Sequence, residues 1–341
     1  MGPTPARPRS VTTITPLRVS FAGGGTDLPD FYRKHGGAVV STAINKYIYV
    51  TVKQHSPLFN EAYRLSYSIT EHTQRLEDIE NDIARECLRL LPLDPPLFIS
   101  TAADLPAQSG LGSSSSFAVG LLYALHVMRG EEVSAGQLAE EACQVEINVL
   151  RRPIGKQDQY AAAYGGLNFI AFEPDDRVTI EHLWLPNDMT NKIFKNSMLF
   201  WTGMQRNAGT ILEEQKTNIA EKAQTLIAMR DLALTCRKDL VSGLRDVESF
   251  GKLLDEGWRA KRTLAKKIAS EQIDGFYNGA MAAGAYGGKI TGAGGGGFLF
   301  LVVPEGQRDK VRAALPGLTD IKLGYEPRGA RILSTVYDSP S

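Results

Sequence analysis

The residues best suited to chemistry lie between Pro106 and Ser116, where a Pro-x-x-x-Gly-Leu-Gly turn runs into four serines and then straight into an apolar stretch. Glycines let a backbone turn tightly and come close to a ligand. A helix opening directly behind them aims its unpaired N–H groups and the positive end of its dipole back at the turn. Pro106, Ser109, Gly110, Leu111 and Gly112, followed by Ser113, Ser114, Ser115 and Ser116, therefore form a candidate phosphate loop whose hydroxyls can bind phosphate oxygens or a magnesium ion. A motif this short is also compatible with a plain glycine turn capped by serine. Its meaning depends on the rest of the chain.

Two other glycine runs invite comparison. Gly292-Ala-Gly294-Gly-Gly-Gly297 satisfies Gly-x-Gly-x-x-Gly, but it feeds the apolar run Phe298 to Val303 instead of opening a helix, so a dinucleotide fold is declined. A Walker-type loop fails as well: neither Gly155-Lys156 nor Gly288-Lys289 has the upstream glycine together with a Ser or Thr after the lysine. Any nucleotide site here is of another kind. The third run, Gly23-Gly24-Gly25-Thr26-Asp27, follows closely behind Pro16-Leu-Arg18-Val-Ser20.

The elements that must position these residues follow from periodicity. Strand patterns occupy Leu17 to Val52, Tyr63 to Ser68 and Leu97 to Thr101, and Glu71 to Leu91 carries apolar residues at helical spacing. Ser116 to Met128 is almost wholly apolar and predicts a buried helix with only its N-terminus at the ligand. Ser134-Ala-Gly-Gln137 reads as a capping box opening a helix toward Leu150, broken at Pro153. A strand pair over Gly166 to Phe172 and Val178 to Trp184 precedes long helical patterns from about Gly209 to Lys238 and from Val247 to Ile268. Strands and helices alternate in both halves, which predicts two α/β or α+β domains. The expected division is a disordered leader over 1–10, an N-terminal domain over 11–187 that carries the candidate phosphate loop and a C-terminal domain over 188–341.

Composition narrows the ligand. The chain has 341 residues, 43% of them hydrophobic, and its 38 basic and 38 acidic residues cancel. With no basic cluster to hold nucleic acid or a membrane, a small-molecule ligand is expected. Cys87, Cys143 and Cys236 are an odd, widely spaced set that disfavours a disulfide scaffold or structural zinc and suits a reducing cytoplasm. The five histidines form no His-x-x-x-His pair. No apolar run reaches the roughly 20 residues of a membrane span, and the proline-rich start does not read as a signal peptide.

Taken in order, Pro16-x-Arg18-Val-Ser-Phe-x-Gly-Gly-Gly-Thr-Asp27, Pro106-x-x-x-Gly-Leu-Gly-Ser-Ser-Ser-Ser116 and Lys289-Ile-Thr-Gly-Ala-Gly-Gly-Gly-Gly-Phe298 resemble the three signature motifs of the GHMP kinase superfamily. The triple glycine with Thr-Asp-Leu-Pro is most similar to the sugar-1-kinase branch that includes D-glycero-D-manno-heptose 7-phosphate kinases and L-fucokinases. The resemblance implies an α+β, two-domain fold, with the Gly-Ser phosphate loop in an N-terminal β/α domain, a ferredoxin-like C-terminal domain, and substrates meeting between them. It implies ATP and Mg²⁺ as cofactors. Ser114 looks like the magnesium-ligating hydroxyl and Glu146 like the carboxylate that completes the site, the alternative for Glu146 being a solvated helix charge. Asp158, in Ile154-Gly-Lys-Gln-Asp-Gln-Tyr160, resembles the base that takes the acceptor proton, and would otherwise be a turn residue. Arg18 is assigned to charge on the transferred phosphoryl or to keeping Asp158 ionised.

Gly24, Gly25, Thr26 and Asp27 resemble the sugar-gripping element, with Gly25 standing where galactokinases carry histidine. Arg206, in Thr202-Gly-Met-Gln-Arg206, can bind a phosphate already on the sugar, although fucokinases have a similar segment. Gly294 and Gly295 are assigned to packing bare backbone against the phosphate loop or the sugar, and Lys289 either assists or is exposed. The activity implied is phosphorylation of an anomeric hydroxyl, first that of D-glycero-D-manno-heptose 7-phosphate on the way to nucleotide-activated heptose. The rivals are a fucokinase-like or other hexose-1-kinase and a non-catalytic sugar sensor on the same fold. The expected partner is a small sugar phosphate, bound by a monomer or homodimer.

Overall fold

The computed structural model describes residues 7–204 and 208–337. The larger sheet is built on β1 (Ser10–Ala22) and the 18-residue β2 (Gly37–Gln54), which pair antiparallel along most of their length. The second half of β2 pairs with β5 (Leu97–Ala103), beyond which lie β3 (Tyr63–Ser66) and β4 (Thr70–Thr73). Its first half pairs instead with β6 (Leu167–Phe172), which carries β7 (Val178–His182). A smaller antiparallel sheet runs β11 (Thr319–Asp320), β8 (Ser197–Trp201), β10 (Phe298–Val302) and β9 (Gly287–Ile290). The last strand, β12 (Arg331–Val336), returns to the large sheet and pairs with β1, although it falls in the segment expected to belong wholly to the second domain.

Eleven helices are described: α1 (Pro29–His35), α2 (Asp82–Leu90), α3 (Ser113–Arg129), α4 (Ala135–Cys143) and α5 (Gln157–Tyr164) with the large sheet, then α6 (Asn187–Lys195), α7 (Ala208–Thr217), α8 (Ala223–Val241), α9 (Val247–Arg262), α10 (Glu271–Ala282) and α11 (Arg308–Ala314). α3 is the buried helix that its composition predicts. It packs on β1 and β2, with Leu121, Leu122, Ala124 and Leu125 fully enclosed, and it starts and stops at left-handed glycines, Gly112 and Gly130. One apolar core lies between this helix layer and the large sheet. A second, around Trp258, Phe200, Leu299 and Ile290, lies under the small sheet.

Several elements depart from the sequence reading. Thr70–Thr73 is a strand, a short 3₁₀ turn covers Leu76–Asp78, and α-helix begins only at Asp82, where the buried Glu71 carboxylate accepts the N–H groups of Glu80 and Asn81 at 2.5 and 3.1 Å and fixes the preceding turn. The pattern from Gly209 to Lys238 is two helices, interrupted where the Asn218 amide donates to the Leu264 carbonyl at 3.0 Å. The helix opened by Ser134 changes to π geometry over Gln144–Val149. The leader does not extend to residue 10: Arg9 donates its N–H to the Val336 carbonyl and Ser10 begins β1.

Candidate active site

Arg18 and Asp158 meet at the junction of β1 and α5. β1 carries Arg18 into the interior beside the phosphate loop, where its own N–H donates to the Leu111 carbonyl at 3.1 Å. The guanidinium is 4% exposed, a burial that requires partners for its charge. Asp158, in the first turn of α5, supplies them in a two-pronged ion pair, Nε to Oδ1 at 2.6 Å and Nη2 to Oδ2 at 2.5 Å. The remaining Nη1 donates to the Gly110 carbonyl at 2.7 Å and so ties the pair to the phosphate loop. Each Asp158 oxygen keeps a second lone pair for another donor.

Behind the loop, the π-helical turn brings Glu146 under the start of α3. Its carboxylate is wholly enclosed and accepts from the hydroxyls of Ser114 and Ser115, from Gln159 Nε2 at 2.8 Å and from Arg152 Nη1 at 3.3 Å. Burial raises the Glu146 carboxyl above its usual range, and these donors oppose the rise. The alternative of a solvated charge is thereby excluded. Ser114, the exposed member of the pair, also accepts from Arg152 at 2.8 Å, and Arg152 continues to Asp82. The other loop residues divide by direction: Ser116 faces inward and donates to the Pro16 carbonyl, Ser109 and Leu111 are fully buried, Ser113 is half-buried and Pro106 is exposed.

A cavity is lined by Arg18, Gly24, Gly25, Asp27 and Asp158 from the first half of the chain and by Leu212, Gln215, Lys261, Lys289, Gly292 and Ala293 from the second. Asp27 lies at its base, accepting N–H groups from Gly25 at 2.9 Å and Gln157 at 3.2 Å. Burial first, and the nearby Asp158 charge second, push its carboxyl above the usual range. Thr26 is structural: its hydroxyl closes the turn onto the Gly23 and Ala38 carbonyls. Gly294 and Gly295 pack against Ile268, and it is Gly292 and Ala293 that line the cavity. Gly110 and Gly292 meet backbone to backbone; a Cβ on Gly292 would lie 2.5 Å from the Gly110 Cα. Arg206 lies outside the described residues.

Two buried lysines complete the charge. Lys289 is enclosed, not exposed, and Lys261 on α9 donates to the Gly292 carbonyl. Burial and the Arg18 charge bring Lys261 down to about 8, against the opposing pull of Asp27 and Asp158. Lys289 falls well below its usual value through burial, Lys261 and Arg18. Arg18 and two lysines whose charge is disfavoured by burial thus share the cavity with the Asp27 and Asp158 carboxylates, and an anion such as a transferring phosphoryl group would favour the charged form of both lysines. Lys261, Gln215 and Arg152 escape a sequence reading because each sits in an ordinary helix or loop pattern and only the packing of distant elements turns it inward.

Matches to known proteins agree with this geometry. Residues 76–166 match the GHMP kinases N terminal domain and residues 236–318 the GHMP kinases C terminal domain. The chain is 30% identical over 318 residues to a D-glycero-alpha-D-manno-heptose 7-phosphate kinase of Campylobacter jejuni, covering 90% of this chain and 93% of that one. It is 24% identical over 338 residues to a galactokinase of Pyrococcus furiosus, covering 89% and 92%. Among solved structures, a D-glycero-D-manno-heptose 1-phosphate kinase from Bacteroides thetaiotaomicron superposes with a TM-score of 0.78 at 25% identity, covering 96% of this chain and all of that one. With both domain matches and the 30% identity over nearly the whole length of a heptose 7-phosphate kinase, the chain belongs to the GHMP kinases, a family of ATP-dependent kinases.

Proposed function

We propose that this kinase transfers the γ-phosphoryl group of ATP to the anomeric hydroxyl of a sugar, and that the sugar is D-glycero-D-manno-heptose 7-phosphate. The observation that carries the reading is the position of Asp158, which borders both the phosphate loop, through Arg18 and Gly110, and the cavity whose base is Asp27. A sugar hydroxyl pointing at Asp158 gives its proton to a carboxylate oxygen while its own oxygen attacks phosphorus, and the bond from phosphorus to the β-phosphate oxygen breaks. Arg18 fixes the carboxylate, and Lys261 and Lys289 face the charge in transit. Substrate choice rests on the heptose 7-phosphate kinase similarity.

The donor set also fits a magnesium ion. Ser114 Oγ and the Glu146 carboxylate are hard oxygen ligands converging at the loop, as Mg²⁺ prefers, and would hold it with Arg152 displaced from them. When bound, the ion neutralises phosphate charge. Three buried free thiols are in keeping with a cytoplasmic setting, and among the described residues no helix is long and apolar enough to cross a membrane. The reading takes a small sugar phosphate as partner, with the chain working as a monomer or homodimer.

ADP release with ATP and magnesium, measured against D-glycero-D-manno-heptose 7-phosphate, fucose, mannose and galactose, tests the substrate. Turnover confined to the heptose phosphate, with Asp158→Asn slower by about 10²–10⁴-fold, is the expected result. Preferred turnover of a free hexose would move the substrate to the rival reading, and binding without turnover would make the protein a sensor.

A further inference from the structure

Three polar atoms at the cavity have no hydrogen-bond partner among the described residues: Gln215 Nε2, Gln157 Oε1 and Ser20 Oγ. Gln215 is the most telling. It is 2% exposed, it lies on α7 one helical turn from Leu212, and both residues line the cavity. A buried amide N–H without an acceptor is costly, and native proteins rarely leave one unmet unless a ligand or water completes it.

The floor beneath Gln215 is shaped to admit its amide. A Cβ on Gly25, whose φ is +100°, would lie 2.4 Å from Gln215 Nε2, so the absent side chain at position 25 is what leaves room for the carboxamide. The neighbouring Gly24 faces Ser20 Oγ and Gln157 Nε2 at 3.6 and 3.8 Å from its own hypothetical Cβ. Donor and acceptor atoms therefore surround the two glycines: Gln215 offers N–H, Gln157 and Asp27 offer acceptor oxygens, and Ser20 offers either. This is the complement of a polyol with neighbouring hydroxyls.

We infer that Gln215 is a specificity-determining contact of the acceptor, its Nε2 donating to one ring or side-chain hydroxyl of the sugar over Gly25. The inference rests on the acceptor being a sugar held in the cavity beside Asp158. It makes α7 part of the sugar site and assigns discrimination among sugars to an amide on that helix, whereas proton transfer stays with Asp158.

The test is steady-state ADP release by the full chain, using whichever sugar of the panel the unaltered protein turns over, with Gln215→Leu, the shape-preserving Gln215→Glu, and Glu213→Gln on the exposed side of the same helix as a control. The expected result is a rise of about tenfold in acceptor KM for both Gln215 variants, the worth of one hydrogen bond to a buried group. ATP KM and kcat stay within about twofold, as does acceptor KM in the control. A series of monodeoxy acceptors then identifies the hydroxyl: the analogue lacking it binds the unaltered protein about tenfold more weakly and Gln215→Leu no more weakly than the full sugar does. An unchanged acceptor KM, an equal rise in ATP KM, or the same deoxy profile in protein and variant would overturn the inference. Turnover of a free hexose would sink the heptose phosphate reading and leave this test intact; turnover of no sugar at all would remove both.

Discussion

Arg18 and Asp158 illustrate how one buried pair can serve both stability and chemistry. A guanidinium so enclosed must be neutralised, and the carboxylate that neutralises it keeps free lone pairs facing the cavity. Lys261 adds a charge that can be switched within an accessible pH range. With a value near 8, it is protonated below that pH and neutral above it, so kcat/KM should fall as pH rises through about 8 in the free protein. Lys261→Met should lower kcat/KM at pH 7 and abolish that alkaline limb; a pH profile with the limb retained would show that another group titrates there. The stability sign is the reverse. Because the folded value lies below the unfolded one near 10.5, the protonated lysine is a cost to the folded state that is fully present below about 8 and relieved toward 10.5. Chemical denaturation should therefore find the stability gap between Lys261→Met and the unaltered protein narrowing in the unaltered protein's favour over that range. Asp158, Arg18, Ser114 and Glu146 are singled out by resemblance to the kinase motifs, and the structure pairs Arg18 with Asp158 and Ser114 with Glu146, whereas Lys261 and Gln215 are not singled out, because nothing in a helix's sequence says which distant loop it will cover.

Elements bring these residues to one place through local signals of uneven clarity. α3 announces itself through its unbroken apolar run, and Ser134 caps α4 as read, its hydroxyl accepting the Gln137 N–H at 3.2 Å. The reciprocal half of the capping box is absent, since the Gln137 amide bonds Glu141 instead. Ser134→Ala should cost about 1 kcal/mol of stability, read by urea denaturation, and leave ADP release unchanged, because the cap lies a full helix away from Glu146. The π turn that follows was not legible. It is fixed by tertiary demands on Glu146, which four donors from α3, α5 and the Arg152 loop hold in place. The strand at Thr70–Thr73 was missed for a similar reason: a buried carboxylate satisfying two backbone N–H groups outweighs helical spacing.

At the scale of the molecule, the phosphate loop and the third glycine motif are 182 residues apart in sequence and meet directly, the Thr291 hydroxyl donating to the Ser109 carbonyl and Gly292 lying backbone to backbone on Gly110. This contact joins the phosphate loop of the first half of the chain to Gly292, which lines the cavity together with Asp158 and Lys261. Gly292→Ala places a Cβ against backbone in a left-handed conformation, φ +64°, for a strain of about 1–3 kcal/mol and a shift of the loop. Turnover should fall by about 10²-fold with the thermal midpoint only moderately lowered, the signature of a displaced site in a folded protein. The three-motif order made the two-layer kinase fold legible from sequence, but the return of β12 to β1 was not, since a short terminal strand carries no sign of its partner. The most direct test of the whole account is phosphorus NMR of the product formed from ATP and D-glycero-D-manno-heptose 7-phosphate by the full chain, run beside Asp158→Asn. The account predicts a second phosphoester signal coupled to the anomeric proton, with the sugar's original phosphate unchanged and the new signal nearly lost in the variant. A phosphate appearing at any other carbon, or equal product from Asp158→Asn, would contradict it.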